Sequence, residues 1–282
     1  MGMGKYRMVE IIVTGNEILE GDILDTNSNW ICKQITGMGG KVRRIVIVRD
    51  DLDAIAAAVK QALESKPDIV FTVGGLGPTY DDKTIQGIAL AMGLPLEVNQ
   101  RALELVRKAY ANFAAKGEVD DDNITPPRMK MATLPVGSEP LANSVGAAPG
   151  VLLKHGKTTL VALPGVPSEL KAIFSESLQP FLSEKFGVGT FAELMLDVDC
   201  NDESKLAPIL KEVVEQNPDV YIKSRPKRFG TDVKIRIALS CAGNKRESVE
   251  SKLDKAMKDL NKALRSVGFS WNLTNTNGTK LE

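Results

Sequence analysis

Short β-branched runs alternate with longer stretches of helical spacing through the first half of the chain. Met8 to Val13, Thr26 to Met38, Lys41 to Val48, Asp51 to Lys66, Asp68 to Val73 and Asp82 to Met92 read in turn as β, α, β, α, β and α. Alternation of this kind predicts an α/β fold: a mostly parallel sheet with helices on both faces, whose ligands gather beyond the carboxyl ends of the strands. Asn99 to Lys116 adds a helix, and the acidic, proline-containing Gly117 to Pro127 reads as an exposed excursion or lid. Two short strands, Val151 to Leu153 and Thr158 to Leu163, flank the turn His155-Gly156-Lys157, and Pro167 to Glu176 is a helix opened by proline. The first domain is expected over residues 1–184. Past a linker at Glu184 to Thr190, the order strand, helix, strand, strand, helix predicts a small α+β module, βαββα, over 190–266, followed by an aperiodic tail at 267–282 that reads as frayed or packed late.

Composition narrows the function classes. Lys plus Arg and Asp plus Glu both number 36 in 282 residues, so there is no global basic field and nucleic-acid binding is not expected. Cys32, Cys200 and Cys241 are scattered without a CxxC pair, which fits free thiols in a reducing, cytoplasmic setting and no structural zinc. The charged start leads into strand one rather than a signal peptide, and no apolar run approaches the roughly 20 residues that cross a bilayer. His155 is the single histidine, so any metal must be held by oxygen ligands.

The most informative run joins the buried strand Ile69 to Val73 to the turn Gly74-Gly75-Leu76-Gly77-Pro78-Thr79 and then Asp81, Asp82 and Thr84. Glycines let a backbone approach a phosphate, and free amides at a helix start point at an anion with the favourable sign of the dipole. Two carboxylates in that turn would repel a phosphate unless a divalent ion, Mg, Mn or Co, bridged them, which points to Asp81 and Asp82 as metal ligands with Glu17 as a third group. The same residues also fit a plain connection, with Thr79 and Asp82 forming a capping box. Parallel topology brings Gly15-Asn16-Glu17 and then Asp25, Thr26 and Asn27 to the same edge, either as ligand contacts or as ordinary N-caps. Two more rigid loops join them, one carrying Asn143, Ser144, Gly146, Pro149 and Gly150, the other Pro164, Gly165, Pro167 and Glu169.

Together, Gly15 to Leu19, Asp25-Thr26-Asn27, Gly74 to Thr79 with Asp81-Asp82 and Thr84, Asn143 to Gly150, and Pro164 to Pro167 with Glu169 closely resemble the competence/damage-inducible CinA family. The resemblance implies an N-terminal domain of the MoaB/MogA-like molybdopterin-binding fold and a KH-like second domain containing Tyr221 to Pro226, and it favours a homodimer. It implies that Asp81 and Asp82, with Glu17 completing the shell of the ion, serve metal-dependent hydrolysis of ADP-ribose or a similar nucleotide diphosphate to AMP and ribose 5-phosphate. The alternative it leaves open is molybdopterin binding or adenylylation through the same glycine turn. The family's C-terminal nicotinamide mononucleotide deamidase domain has no counterpart in a chain ending at Glu282, so that activity is not expected. The second domain lacks a Gly-x-x-Gly clamp, and its basic residues Lys223, Arg225, Lys227 and Arg228 read as a solvated edge or a contact surface rather than an RNA site.

Overall fold

The computed structural model describes residues 7–187, 190–226, 234–243 and 245–277. The chain divides into two compact units: residues up to Lys185 apart from 36–39 form the first, and 36–39 with the residues from Phe186 onward form the second.

The first unit runs β1 (Met8–Thr14), α1 (Asn16–Leu19), α2 (Thr26–Gly37), β2 (Lys41–Val48), α3 (Leu52–Glu64), β3 (Ile69–Val73), α4 (Thr84–Met92), β4 (Leu96–Val98), α5 (Gln100–Ala115), α6 (Pro126–Lys130), β5 (Thr133–Pro135), β6 (Glu139–Leu141), β7 (Gly150–His155), β8 (Thr158–Leu163), α7 (Pro167–Ser175) and α8 (Gln179–Phe186). Its main sheet has the order β2-β1-β3-β8-β7-β6. Pairs β1–β2, β1–β3 and β3–β8 are parallel, while β7 and β6 close the far edge antiparallel. Every residue of β3 and β8 is buried, as expected for parallel strands covered on both faces. The layer built by α3 and α4 is close because Gly87 faces Ile55; a Cβ at Gly87 would overlap that side chain. Asp51 starts α3 by accepting the Ala54 amide at 2.9 Å.

A register shift between Val9 and Glu10 lets both Arg43 and Arg44 reach one carboxylate. Glu10, 2% exposed, accepts from Arg43 at 2.6 Å and Arg44 at 2.7 Å and from the Ser65 hydroxyl. Burial pushes this carboxyl up, but the hydrogen bonds from Ser65, Arg44 and Arg43 outweigh it and hold the group below its ordinary value.

The second unit contains β9 (Thr190–Val198), α9 (Glu203–Gln216), β10 (Tyr221–Pro226), β11 (Ile235–Gly243), α10 (Arg246–Ser266) and β12 (Trp271–Asn277). Its sheet, β10-β11-β9-β12, is antiparallel. Alternate residues such as Leu194, Leu196, Ile237 and Leu239 bury against Leu206, Leu253 and Leu260 of the helices. The tail, expected to be frayed or packed late and without an element of its own, supplies β12, which pairs with β9 from Trp271 to Asn277. Its composition hid it: Trp271, which packs against the core of this unit, and the exposed Leu273 are the only apolar residues of the strand, too few for periodicity to detect. Lys223 is exposed on β10, and Lys227, Arg228 and the Phe229-Gly230 pair lie outside the described residues. Among the described residues no helix is long and apolar enough to cross a membrane.

Candidate functional site

The carboxyl ends of β1, β3 and β8 open into a cleft of about 610 Å³ in the first unit. Its floor is built from the Gly74-Gly75 turn. Gly74 has φ 99° and Gly75 φ 67°, both in the left-handed region. A Cβ at Gly74 would stand 2.5 Å from the Thr14 carbonyl oxygen, and one at Gly75 would overlap the Thr84 hydroxyl. Beneath the turn the Thr14 and Thr84 hydroxyls share a 3.0 Å hydrogen bond, and both residues are buried. Thr84 is thus a support under the cleft rather than a wall of it. The Gly74 N–H donates to the Leu163 carbonyl at 2.9 Å, which ties the turn to β8.

The acidic half of the turn closes on itself. The Thr79 N–H donates to Asp82 Oδ2 at 2.9 Å, and the Thr79 hydroxyl donates to both Asp81 and Asp82. That hydroxyl bond holds the exposed Asp81 carboxyl below the usual range, with Lys130 and Lys83 adding to it. Helix α4 begins at Thr84, and its N-cap Lys83 makes no side-chain cap. The helix start expected at Asp82 is therefore corrected, because Thr79 captures the Asp82 carboxylate for the turn. Lys130 Nζ donates to the Gly77 carbonyl at 3.0 Å and the Thr79 carbonyl at 2.5 Å. Burial pushes its amine down, and Asp82 and Asp81 offset this only in part.

Of the residues singled out in the sequence, Glu17, Asp25, Thr26 and Asn27 line the cleft with the turn residues Gly74, Gly75, Leu76, Gly77 and Pro78. Asp81, Asp82, Pro164, Gly165, Pro167 and Glu169 line it too. Six carboxylates thus face the space, and no lysine, arginine or histidine is among the described lining residues. Five of the six brace loops: Asp25 accepts the Ser28 amide at 2.9 Å, and Asp50 accepts the Asn16 amide at 2.8 Å. Glu169 accepts from Asn143 at 2.7 Å, and Asp81 and Asp82 hold Thr79. Asn27 donates to the Gly165 carbonyl at 2.7 Å, joining the start of α2 to the loop after β8, and its Oδ1 is buried without a partner.

Thr79, Thr84, Asn143, Ser144, Gly146, Pro149 and Gly150 are not in the wall. Asn143 acts as a staple: it donates to the Ala148 carbonyl at 2.9 Å and accepts the Gly146 amide at 2.8 Å. A Cβ at Gly146 would overlap the Glu169 carboxyl, and one at Gly150 would stand 3.0 Å from Ile173. Pro149 is buried and Ser144 exposed. The residues missed in the sequence are Asp50, Tyr110 and Met131 in the wall and Lys130 behind it. Asp50 had a signal, since it follows a parallel strand at the same edge; Tyr110 sits in mid-helix and had none.

Among the described residues no three His, Cys, Asp or Glu side chains converge where an ion could sit. With Asp81 and Asp82 both turned onto Thr79, these residues do not fit a site for Mg, Mn or Co built by the protein.

A mostly parallel sheet with a glycine-built cleft beyond its strand ends is the arrangement in which α/β domains place their ligand sites. Within that class the chain belongs to the molybdopterin-binding family: residues 10–184 match the family described as probable molybdopterin binding domain. A protein of Aeropyrum pernix is 38% identical over 271 residues, 95% of this chain and 97% of that one. A Pyrococcus horikoshii protein is 41% identical over 230 residues, 82% of this chain and 88% of its own length. The crystal structure of the protein CinA with unknown function from Thermoplasma acidophilum aligns with a TM-score of 0.56 at 38% identity, covering 62% of this chain and 98% of that one. The MoaB/MogA-like fold and the resemblance to CinA stand. The expectation of a metal-dependent ADP-ribose hydrolase is corrected: the matching family is one of molybdopterin binding, and the aligned CinA carries no assigned activity.

Proposed function

We propose that the first unit binds molybdopterin, a phosphorylated pterin, in the cleft floored by Gly74 to Gly77. The observation that carries this reading is the left-handed glycine pair beyond a buried parallel strand, inside the segment that matches the molybdopterin-binding family. Glycines let the backbone come close to an anion, and successive N–H groups in a turn make a concavity that accepts one. With the Gly74 amide engaged by Leu163, the phosphate is assigned to the amides of Gly75, Leu76 and Gly77. The cleft is large enough for a small organic ligand and combines small backbone-rich loops with an apolar wall, as cofactor sites do.

The test is an anaerobic titration of the purified chain with molybdopterin, followed by tryptophan fluorescence and by calorimetry. Gly77→Ala puts a Cβ 2.6 Å from Asp82 Oδ2 and displaces that carboxylate, so affinity falls by at least tenfold. Absence of saturable binding to the unaltered chain would overturn the reading.

A further inference from the structure

We propose that Tyr110 is the platform on which the flat ring system of the ligand stacks, and that Arg128 is the positioning residue that fixes it. This rests on the phosphopterin reading above and adds which end of the cleft takes the ring. The cleft is two-sided. Carboxylates and glycine backbone occupy one part, while Leu76, Met131 and Ala148 belong to a buried apolar cluster against which Tyr110 and Ala147 pack. Leu76 lies between Gly75 and Gly77, so the apolar wall begins inside the phosphate turn itself. A ligand anchored there by its phosphate therefore brings its remaining atoms against that wall.

Tyr110 is the only aromatic side chain among the described lining residues. Its ring is held on two sides. The Arg128 guanidinium lies 3.8 Å from the ring centroid, and Phe113 meets it edge-on at 5.9 Å and 82°. Arg128 is itself immobilised, donating to the Asp121 carbonyl at 2.9 Å, its carboxylate at 3.0 Å and the Asn123 carbonyl at 2.7 Å. One face is thus closed by a fixed cation, while the ring also borders the cleft, where Arg128 is not among the lining residues. A ring already ordered by such contacts loses little freedom on stacking, so more of the contact energy appears as affinity.

Helix α6 joins the two parts of the site. Its five residues carry Arg128 to the Tyr110 ring and Lys130 to the Gly77 and Thr79 carbonyls, and Met131 follows directly as part of the wall. Thr125 caps it and prolines occupy its first two positions, so the spacing between ring platform and phosphate turn is set by a short rigid strut. The acidic excursion before it is clamped through Asp121 and Asn123 rather than free to swing.

The test compares neopterin 3′-phosphate with glycerol 3-phosphate, which carries the phosphate without the ring, on the full chain and on Tyr110→Phe, Tyr110→Leu and Arg128→Met. The unaltered chain and Tyr110→Phe favour the pterin. Tyr110→Leu loses roughly tenfold in pterin affinity, as removal of one aromatic stacking partner does, with the glycerol phosphate affinity unchanged. Arg128→Met loses severalfold in the same ratio. A pterin preference that persists in Tyr110→Leu, or a loss shared equally by both ligands, overturns the proposal while leaving molybdopterin binding intact. A chain that favours the phosphopterin through Tyr110 yet does not bind molybdopterin sinks the proposed function and leaves the platform standing.

Discussion

Replacement of Gly75 by alanine tests the architecture of the cleft floor most directly. At φ 67° an L side chain costs about 1–2 kcal/mol relative to glycine. The new Cβ would also overlap the Thr84 hydroxyl and stand 3.2 Å from the Thr14 hydroxyl, so the bond between them must break. Thr84 is fully buried and Thr14 nearly so, and leaving such a hydroxyl unpaired costs a further 1–3 kcal/mol or so. Loss of glycine's freedom in the unfolded chain offsets roughly 0.5 kcal/mol. The expected net loss is about 3 kcal/mol. It is measured by urea unfolding in a Trp271→Phe background, where Trp30 reports alone; its ring meets Phe174 at 5.0 Å in the unit that holds the cleft. Adding Thr84→Ala makes room for the methyl group, so the double variant is more stable than the sum of single losses by about 1 kcal/mol. A Gly75→Ala loss below about 0.5 kcal/mol, or strict additivity with Thr84→Ala, would refute the packing argument.

Three further outcomes follow from single contacts. Lys130→Met removes two carbonyl contacts and the cation beside Asp81 and Asp82, so molybdopterin affinity falls severalfold in the same titration while unfolding free energy drops by about 1 kcal/mol. Asn143→Ala frees the loop that presents Ala147 and Ala148; a loss of about 2 kcal/mol in urea unfolding checks the staple. Glu10 has a folded pKa below its ordinary 4.5, so its contribution is complete above that pH and disappears as pH falls through the lowered folded value. Urea midpoints taken from pH 7 to pH 3 should decline less steeply below 4.5 in Glu10→Gln than in the unaltered chain.

The order of elements in the first unit was legible because parallel strands buried on both faces produce continuous apolar runs, as at Ile69 to Val73 and Thr158 to Leu163. The edge of the sheet that carries the cleft followed from topology, and with it Glu17, Asp25, Asn27 and the glycine turn. What a sequence cannot carry is the direction in which a polar side chain turns. Asp81 and Asp82 look like metal ligands by type and spacing, and Thr79, two and three residues back, takes both. Asn143 and Gly146 look like ligand contacts and serve Glu169 and Ala148 instead. Tyr110 and Lys130 reach the site only through the path of α5 and α6, which no local pattern encodes. Strand β12 was missed for the complementary reason that Trp271 and Leu273 are its only apolar residues.

The charge of the cleft leads to a last, opposite-signed expectation. A phosphate site built from lysines and arginines weakens as salt screens the attraction. Here the described wall contributes Glu17, Asp25, Asp50, Asp81, Asp82 and Glu169, and Lys130 is tied to backbone carbonyls behind the turn. The amide dipoles that receive the phosphate act at contact distance, where salt screens little, whereas repulsion from the carboxylates acts across several ångströms of partly exposed space and is screened. Raising sodium chloride from 0.05 M to about 0.5 M shortens the screening length from beyond 10 Å to roughly 4 Å. The affinity for a phosphorylated pterin should therefore hold level or rise over that range. Titrations at matched pH decide it: a tenfold fall in affinity with added salt would mean that a cationic side chain, and not the Gly75 to Gly77 backbone, holds the phosphate.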